Sequence, residues 1–276
     1  MLALFTYPHI DPIAFRIGRL AVHWYGLMYL GGFVLGWLGT RSRARRPYSP
    51  ITPLQVDDFV FFSALGVIIG GRIGYMLFYF LPMKGLQGFI DDPLVLFKIW
   101  QGGMSFHGGL LGVLFALWLF GRRVGQPFFA MTDFVAPWIP PGLGLGRLGN
   151  FINGELWGRP TDPNAFWAVM VDGTPRHASQ LYEAFLEGVV LFLSLWWFSR
   201  KPRPTMAVSG LFLLLYGVFR FAVEFVREPD EGYGYLAFGW VTMGQVLSAP
   251  MIVAGVVLLV LAYRVNRMPA TNATVP

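Results

Sequence analysis

Apolar residues dominate long stretches of this chain, and polar residues divide them into seven segments. A helix needs about 20 apolar residues to cross a bilayer, and these segments reach or approach that length. The third and fourth are short, and Pro137, Pro140 and Pro141 predict a broken or half-buried helix in the fourth. The segments lie near 20–40, 59–81, 107–121, 129–146, 181–198, 207–226 and 244–263. The pattern predicts an all-α polytopic membrane protein with about seven transmembrane helices.

The composition supports a membrane protein. Hydrophobic residues make up 55% of the 276 residues and charged residues 13%, against about 25% charged residues in soluble domains. The mean hydropathy is +0.54. The absence of cysteine excludes disulfides, thiolate metal sites and a cysteine nucleophile within the chain. The net charge of +6 comes without a basic stripe or a known nucleic-acid module, so no nucleic-acid partner is expected.

Basic residues at the ends of the apolar segments predict the orientation. They follow the first, third, fifth and seventh segments, which places them on one face, and basic loops mark the cytoplasmic side. They are Arg41, Arg43, Arg45, Arg46, Arg122, Arg123, Arg200, Lys201, Arg203, Arg264 and Arg267. The N-terminus is therefore expected outside and the C-terminus in the cytoplasm. Residues 1–276 are expected to form one membrane domain, with 147–180 as an outer-surface, periplasmic head segment. We expect the first segment to be retained as an anchor, because four arginines follow it and no small-residue cleavage site is present.

Polar side chains inside apolar segments are costly, so each one is a functional hypothesis. They are Tyr25, Arg72, His107, Asp133, Arg147, Asn150, Glu187, Arg220 and Glu224. The densest group lies between Gly146 and Gly158, where Arg147, Asn150, Asn153 and Glu155 fall within nine residues. Glycines allow a ligand to approach the backbone, and arginine presents a fork that matches phosphate oxygens. This segment predicts a lipid-headgroup loop; the alternative is a glycine-rich turn with an interfacial arginine.

Arg220 and Glu224 are four residues apart, and Arg227 follows Glu224 by three, so all three share one helix face. They could form an ion pair that reaches the interface. One carboxylate does not neutralise two guanidiniums, however, and the remaining charge suggests an anionic lipid phosphate as ligand.

Two further side chains have both a functional and a structural interpretation. His107 lies between glycines, where it could accept a proton near neutral pH or serve as a packing residue. Tyr25 could bond a ligand oxygen or belong to the aromatic belt. The four histidines show no metal-ligand spacing, and no Gly-x-Ser-x-Gly elbow of a serine hydrolase occurs. The sequence therefore predicts neither a metal nor a cofactor.

The segment Gly146–Gly158 resembles the signature of the bacterial prolipoprotein diacylglyceryl transferases, Gly-Arg-x-Gly/Ala-Asn-Phe-apolar-Asn-x-Glu-x-x-Gly, and it meets every fixed position. Further similar segments follow in the same order along most of the chain. They are His23–Tyr29, Gly70–Tyr75, Gly102–Gly109, His177–Glu183, Tyr216–Arg220, Arg227–Asp230 and Met243–Gln245.

The resemblance implies a bacterial inner-membrane enzyme with seven spans. It would transfer diacylglyceryl from phosphatidylglycerol to the lipobox cysteine of a prolipoprotein signal peptide, forming a thioether and releasing glycerol 1-phosphate. The essential arginines of the family correspond to Arg147 and Arg220, and its proposed base to His107. Supporting residues of the family correspond to Tyr25, Asn150, Glu155, Gly158, Glu224 and Arg227, and we expect Asn153 and Tyr216 to bind substrate beside them.

Two other classes remain open from the residues alone. A transporter or flippase also suits intramembrane arginine and a broken helix, but it predicts an internal repeat that the sequence barely shows. A scaffold would not need arginine, histidine, asparagine and glutamate near one membrane face. Within the head, the charged segment 159–180 could hold the polypeptide substrate.

Overall fold

The computed structural model describes residues 5–18, 20–229 and 234–264. Two predictions fall outside them: Arg267, one of the expected cytoplasmic basic residues, and Asp230, the last residue of one similar segment. The chain forms two compact units, one of residues 40–132 and one that combines residues up to 39 with those from 133 onward.

Helices make up most of the described chain, with short π and 3-10 segments between some of them. The helices are α1 Trp24–Arg43, α2 Pro53–Tyr75, α3 Leu81–Lys84, α4 Gln87–Asp91, α5 Phe106–Arg123, α6 Phe128–Val135, α7 Ile139–Ile152, α8 Ser179–Glu183, α9 Leu191–Phe198, α10 Ala207–Val223 and α11 Met243–Arg264. A π segment, Met76–Phe80, joins α2 to α3, and another, Ala184–Val190, joins α8 to α9.

Five short strands correct the all-α prediction. They are β1 Phe5–Thr6, β2 Ile13–Ile17, β3 Leu20–His23, β4 Ala168–Val171 and β5 Thr174–His177. β1 pairs in parallel with β4, β4 pairs antiparallel with β5, and β2 and β3 form a separate antiparallel pair. Tyr7, Val169, Val171 and Ala178 form a small core beside the three-stranded sheet. Strands this short give no long alternating pattern, which explains why the apolar segments alone missed them.

In the unit of residues 40–132, α2 packs tightly against α5 through glycines on both helices. A Cβ added at Gly74 would lie 2.7 Å from the Cα of Gly108, and one added at Gly66 would lie 2.6 Å from the carbonyl oxygen of Gly112. The sequence also specifies where α2 begins. Thr52 and Gln55 form a reciprocal capping box, with a proline in the first turn.

In the other unit, a carboxylate caps α10 from a distant part of the sequence. Asp133 accepts hydrogen bonds from the backbone N–H groups of Met206 and Ser209, both at 2.7 Å, and from the Ser209 hydroxyl at 2.5 Å. These donors lie at the start of α10, where backbone N–H groups lack helical partners. Asp133, singled out as a polar residue within an apolar segment, therefore has a structural role in capping α10.

Each of the seven predicted apolar segments overlaps helical structure. Among the described residues, 53–84, 179–198 and 243–264 are long and apolar enough to cross a membrane as single helices. Residues 106–123 and 128–152 pass that test only as a sharply bent pair, and α10 is a shorter apolar helix. Pro137 lies in a 3-10 turn that separates α6 from α7. The chain is thus a mostly helical membrane protein, and the count of seven spans stays a prediction.

Candidate active site

Three arginines and three glutamates form one buried cluster at neighbouring helix ends in the unit that contains α7 and α10. Arg147 lies on α7, Glu183 ends α8, and Glu187 lies on the following π segment. Arg220 belongs to the last turn of α10, with Glu224 as its C-cap and Arg227 just beyond. The structure therefore brings together four predicted site residues, Arg147, Arg220, Glu224 and Arg227.

Glu183 is the centre of this cluster. One carboxylate oxygen lies 3.3 Å from Nε of Arg147, and the other pairs with Nη1 of Arg220 and lies 4.0 Å from Nε of Arg227. Glu187 adds a second contact to Arg147, 3.5 Å from its Nη2. One fully buried carboxylate thus joins two guanidiniums that lie 73 residues apart in sequence.

Glu224 completes the cluster on the α10 side. Its Oε1 lies 2.5 Å from Nη2 of Arg220 and 3.1 Å from Nη1 of Arg227. The Thr242 hydroxyl donates a 2.5 Å hydrogen bond to Oε2 of the same carboxylate. Each oxygen of Glu224 therefore has a partner, which offsets the cost of removing this charge from water.

The cluster corrects the expectation of excess positive charge around Arg220 and Arg227. Among the described residues, three carboxylates face three guanidiniums, so the formal charges balance. Exposure is uneven, however: the side chains of Arg147 and Arg220 are 21% and 13% exposed, whereas those of Glu183 and Glu187 are 0%. A ligand that reaches the cluster would meet guanidinium before carboxylate.

Local backbone features place Arg147 beside the two glutamates. A Cβ added at Gly144 would lie 3.0 Å from the Cα of Gly188 and 3.3 Å from the carbonyl oxygen of Ala184, so α7 and the π segment lie in close contact. Arg147 follows Gly144 by three residues and therefore shares its helix face. π segments often occur at functional sites because they change the direction of side chains within a helix.

The loop after α7 forms a second polar group around Glu155. Asn153 donates to Oε1 of Glu155 at 3.2 Å, and Asn150 donates to Oε2 at 3.4 Å. The backbone of the loop is also fixed, because Gln180 donates to the carbonyl oxygen of Glu155 and Ser179 to that of Leu156. The structure thus brings together the three predicted residues Asn150, Asn153 and Glu155.

Tyr25 and Tyr216 belong to the same unit. The Tyr25 hydroxyl lies 3.3 Å from that of Tyr29, and its ring packs against Gly149, where an added Cβ would lie 2.8 Å from Cδ2. Tyr216 stacks on Phe212, with ring centroids 5.8 Å apart, and packs against the core cluster that contains Leu191 and Leu195.

Gly158 lies where the head segment meets the end of α10. Its N–H donates to the His177 carbonyl oxygen at 2.9 Å, and it forms an isolated β-bridge with Arg227. A Cβ added here would lie 2.6 Å from the Val226 carbonyl oxygen. Next to it, Arg159 donates to the carbonyl oxygens of Arg227 and Glu224, at 2.8 and 3.1 Å. A close backbone contact therefore explains the glycine.

His177 lies on β5, outside the apolar helices, and partial burial lowers the pKa of its imidazole below the usual value. Its ring stacks on Trp167, and its Nδ1 lies 3.3 Å from the Tyr182 hydroxyl. The neutral form of His177 is therefore favoured in the folded head.

His107 belongs to the other unit, where it is the second residue of α5 and is exposed. The N-cap of this helix is Ser105, whose hydroxyl accepts from the Gly108 N–H at 3.2 Å. Arg72, singled out as a polar residue within an apolar segment, donates to backbone carbonyls of the segment that precedes α5.

The sequence did not identify Glu183 as a site residue, and it marked Glu187 only as a polar residue within an apolar segment. The available signal was their spacing. Glu183 ends a segment shared with the resembled family, and Glu187 follows four residues later, so both lie on one face of an otherwise apolar helix.

The fold and the cluster define a class of protein: a helical membrane protein with a buried arginine–glutamate cluster beside a polar glycine-containing loop. The family model described as prolipoprotein diacylglyceryl transferase (LGT) matches residues 12–261. The chain belongs to this family, which confirms the resemblance inferred from the motifs.

Relatives named phosphatidylglycerol–prolipoprotein diacylglyceryl transferase are similar over almost the whole chain. The Methylococcus capsulatus protein is 59% identical over 262 residues, which cover 94% of this chain and 98% of the relative. The Nitratidesulfovibrio vulgaris protein is 60% identical, with 93% and 95% covered. The Pseudomonas paraeruginosa protein is 56% identical, with 95% and 97% covered.

Proposed function

We propose that this chain transfers the diacylglyceryl group of phosphatidylglycerol to the cysteine thiol in the lipobox of a prolipoprotein signal peptide. The products are a thioether and glycerol 1-phosphate, and the reaction is the first step of lipoprotein maturation. Family membership and the names of the relatives support this proposal. The structural observation that carries it is the pair of partly exposed guanidiniums, Arg147 and Arg220, fixed on the buried carboxylate of Glu183.

The reaction requires stabilisation of negative charge on a phosphate. The thiolate sulfur attacks the sn-3 carbon of the diacylglyceryl unit; a C–S bond forms, and the bond between that carbon and the phosphate oxygen breaks. The electron pair leaves with the phosphate, which becomes a monoester. Arg147 and Arg220 offer forked donors suited to phosphate oxygens, and fixed charges in a low-dielectric site are often the largest contribution to catalysis.

The carboxylates of the cluster fix the position of the arginines and balance their charge. Glu183, Glu187 and Glu224 hold the guanidiniums in position before substrate arrives. They also balance the charge of the cluster, so the headgroup, with one negative charge, is bound moderately. The leaving group gains charge during the reaction and is attracted more strongly. This difference accelerates the reaction, whereas equal binding of both states would not.

The remaining predicted residues have supporting roles in this proposal. His107 accepts the proton of the thiol, because the thiolate is the nucleophile and an exposed imidazole nitrogen can act as a general base. Tyr25, Asn150, Asn153 and Glu155 offer hydrogen bonds to the glycerol headgroup. Gly158 and Tyr216 shape the site, Glu224 holds Arg220 in place, and Arg227 pairs with the same carboxylate.

We propose the orientation predicted from the basic residues. The chain crosses the bacterial inner membrane seven times, with a periplasmic N-terminus, a cytoplasmic C-terminus and the site near the periplasmic side. Segment 159–180 of the head then contacts the polypeptide, and lipid enters from the bilayer. Alkaline phosphatase fused after residue 203 should be inactive, because this position would be cytoplasmic; an active fusion would overturn the orientation.

The test uses purified protein in phosphatidylglycerol vesicles with a lipobox peptide and mass spectrometry of the peptide. Wild type should add one diacylglyceryl group, and Arg147→Ala should lose activity by about 100-fold or more, the effect of removing a donor to developing charge. Arg200→Ala, at an exposed residue beyond α9, is the matched control and should act at the wild-type rate. A folded wild type without product would overturn the proposal, and lipid movement between leaflets would then favour a transporter.

A further inference from the structure

Arg72 is buried, and backbone carbonyls surround its guanidinium. It lies in the last turn of α2 and is 5% exposed. Arginine has five N–H donors, one on Nε and two on each terminal nitrogen, and this side chain makes five hydrogen bonds. The acceptors are the carbonyl oxygens of Leu96 at 3.0 Å, Gly102 at 2.6 Å, Gly103 at 2.9 Å, Lys98 at 3.3 Å and Val95. Within the described residues, no ion pair joins it to a carboxylate.

These five carbonyls belong to the segment that leads into α5. Val95 and Leu96 lie in one 3-10 turn; Gly102 is the C-cap of the next, Ile99–Gln101, and Gly103 follows it. Both glycines have positive φ, +81° and +77°, a conformation that favours glycine. Carbonyl groups that point to one centre repel one another unless a cation or donor lies there. Arg72 therefore determines the conformation of residues 95–103.

A second contact joins the same turn of α2 to the start of α5. The N–H of Ser105 donates to the carbonyl oxygen of Gly71 at 2.9 Å, and Ser105 is the N-cap of α5. The neighbours Gly71 and Arg72 thus fix the backbone on both sides of Met104. His107 is two residues beyond Ser105, so its position depends on these contacts.

We propose that Arg72 is a positioning residue for the transfer reaction, acting through residues 95–105 on the imidazole of His107. This inference rests on the proposed function, in which His107 accepts the thiol proton. Lysine does not replace this arginine, because its ammonium has three donors around a single point and does not reach five carbonyls. Arg72→Gln leaves most of these carbonyl oxygens without a hydrogen-bond donor. Arg72→Lys keeps the positive charge but removes the planar, forked set of guanidinium N–H donors.

The test compares two peptides that differ only in the nucleophile, cysteine or selenocysteine. A selenol is ionised at neutral pH, so it needs no base; its selenium attacks the same carbon, the C–Se bond forms and the C–O bond breaks. With the cysteine peptide, Arg72→Gln and His107→Gln should both lower kcat by about 100-fold, the effect of a lost or misplaced base. Arg72→Lys should lie between wild type and Arg72→Gln.

With the selenocysteine peptide, both glutamine variants should recover to within about threefold of wild type, which separates a lost base from general damage. Arg147→Ala should stay slow with either nucleophile, since it acts on the leaving group. Arg122→Gln removes an exposed arginine at the far end of α5 and should match wild type throughout.

Four outcomes would overturn the inference. They are a wild-type rate for Arg72→Gln with the cysteine peptide, a wild-type rate for His107→Gln, an equal loss with both nucleophiles, and an unfolded Arg72→Lys variant. The last two would reduce Arg72 to a structural residue. If wild type itself forms no thioether, the proposed function fails, and the inference fails with it.

Discussion

Replacing Glu183 by glutamine is the most informative perturbation of the arginine–glutamate cluster. The substitution keeps the size of the side chain but removes the charge that joins Arg147 to Arg220. The formal charge of the cluster changes from balanced to +1. Arg147 keeps Glu187, at 3.5 Å, and Arg220 keeps Glu224, at 2.5 Å. Neither guanidinium is left without a carboxylate, so the protein should still fold.

The expected loss of stability is moderate. Breaking a buried pair costs about 3–5 kcal/mol when one charge is left uncompensated. Because both arginines keep one carboxylate and are partly exposed, we expect about 1–3 kcal/mol. The midpoint of thermal unfolding in detergent should fall accordingly.

The expected effect on catalysis is larger and specific. A displacement of about 1 Å of a catalytic group can cost about 100-fold in rate, so Glu183→Gln should lower kcat by about that factor. The KM for phosphatidylglycerol should stay equal or fall, because a cluster of charge +1 attracts the anionic headgroup more strongly. Initial rates measured over a range of phosphatidylglycerol fractions in vesicles separate the two parameters.

Two matched variants control for the loss of a carboxylate. Glu187→Gln affects a single contact to Arg147. It should lower kcat by only about tenfold, because a tenfold change corresponds to the loss of one hydrogen bond of moderate strength. Glu228 is 51% exposed and pairs with Arg176, so Glu228→Gln should match wild type. A Glu183→Gln enzyme with wild-type kcat, or with only a raised KM, would refute the argument that this carboxylate positions the arginines.

Three further predictions concern stability, each measured as the unfolding midpoint in detergent. Gly74→Ala should lower the free energy of unfolding by about 1–3 kcal/mol, because its Cβ would lie 2.7 Å from the Cα of Gly108. The control Gly142→Ala should change the midpoint little, because its Cβ would lie 3.8 Å from the nearest Cα, that of Gly32. Equal midpoints for the two variants would contradict the close packing of α2 and α5. Asp133→Ala should cost about 1–2 kcal/mol through loss of the α10 cap, and an unchanged midpoint would contradict that cap. His177 binds its proton more weakly in the folded than in the unfolded protein, so stability should fall as the pH drops below about 6.5. A His177→Gln variant should lose less stability over that pH range, and an equal loss in wild type and variant would contradict this role of His177.

The sequence was sufficient to predict the main helices, because their apolar segments are long. Each predicted segment overlaps a helix, including the fourth, in which Pro137 lies at the break between α6 and α7. The strands were missed because β1, β4 and β5 have only two to four residues each. Pairing between such short strands depends on contacts distant in sequence, as between Phe5 and Val169.

The candidate site was predicted better where its residues are close together in sequence. Asn150, Asn153 and Glu155 were expected to act together, and they share hydrogen bonds. The charge balance around Arg220 was wrong because Glu183 reaches it from 37 residues away. Periodicity relates residues within one helix, whereas this contact depends on how α8 and α10 pack. The surroundings of Arg72 were equally inaccessible, since its acceptors are backbone atoms 23 to 31 residues later.

The most direct test of the proposed reaction is the stoichiometry of its two products. Purified wild-type protein, phosphatidylglycerol and a lipobox peptide should give thioether peptide and glycerol 1-phosphate in equal amounts. Both products should be lost together in Arg147→Ala and in Arg220→Ala. Two results would contradict transfer of diacylglyceryl with glycerol 1-phosphate as the leaving group. One is thioether peptide formed without glycerol 1-phosphate, and the other is the same yield of both products from the two arginine variants as from wild type.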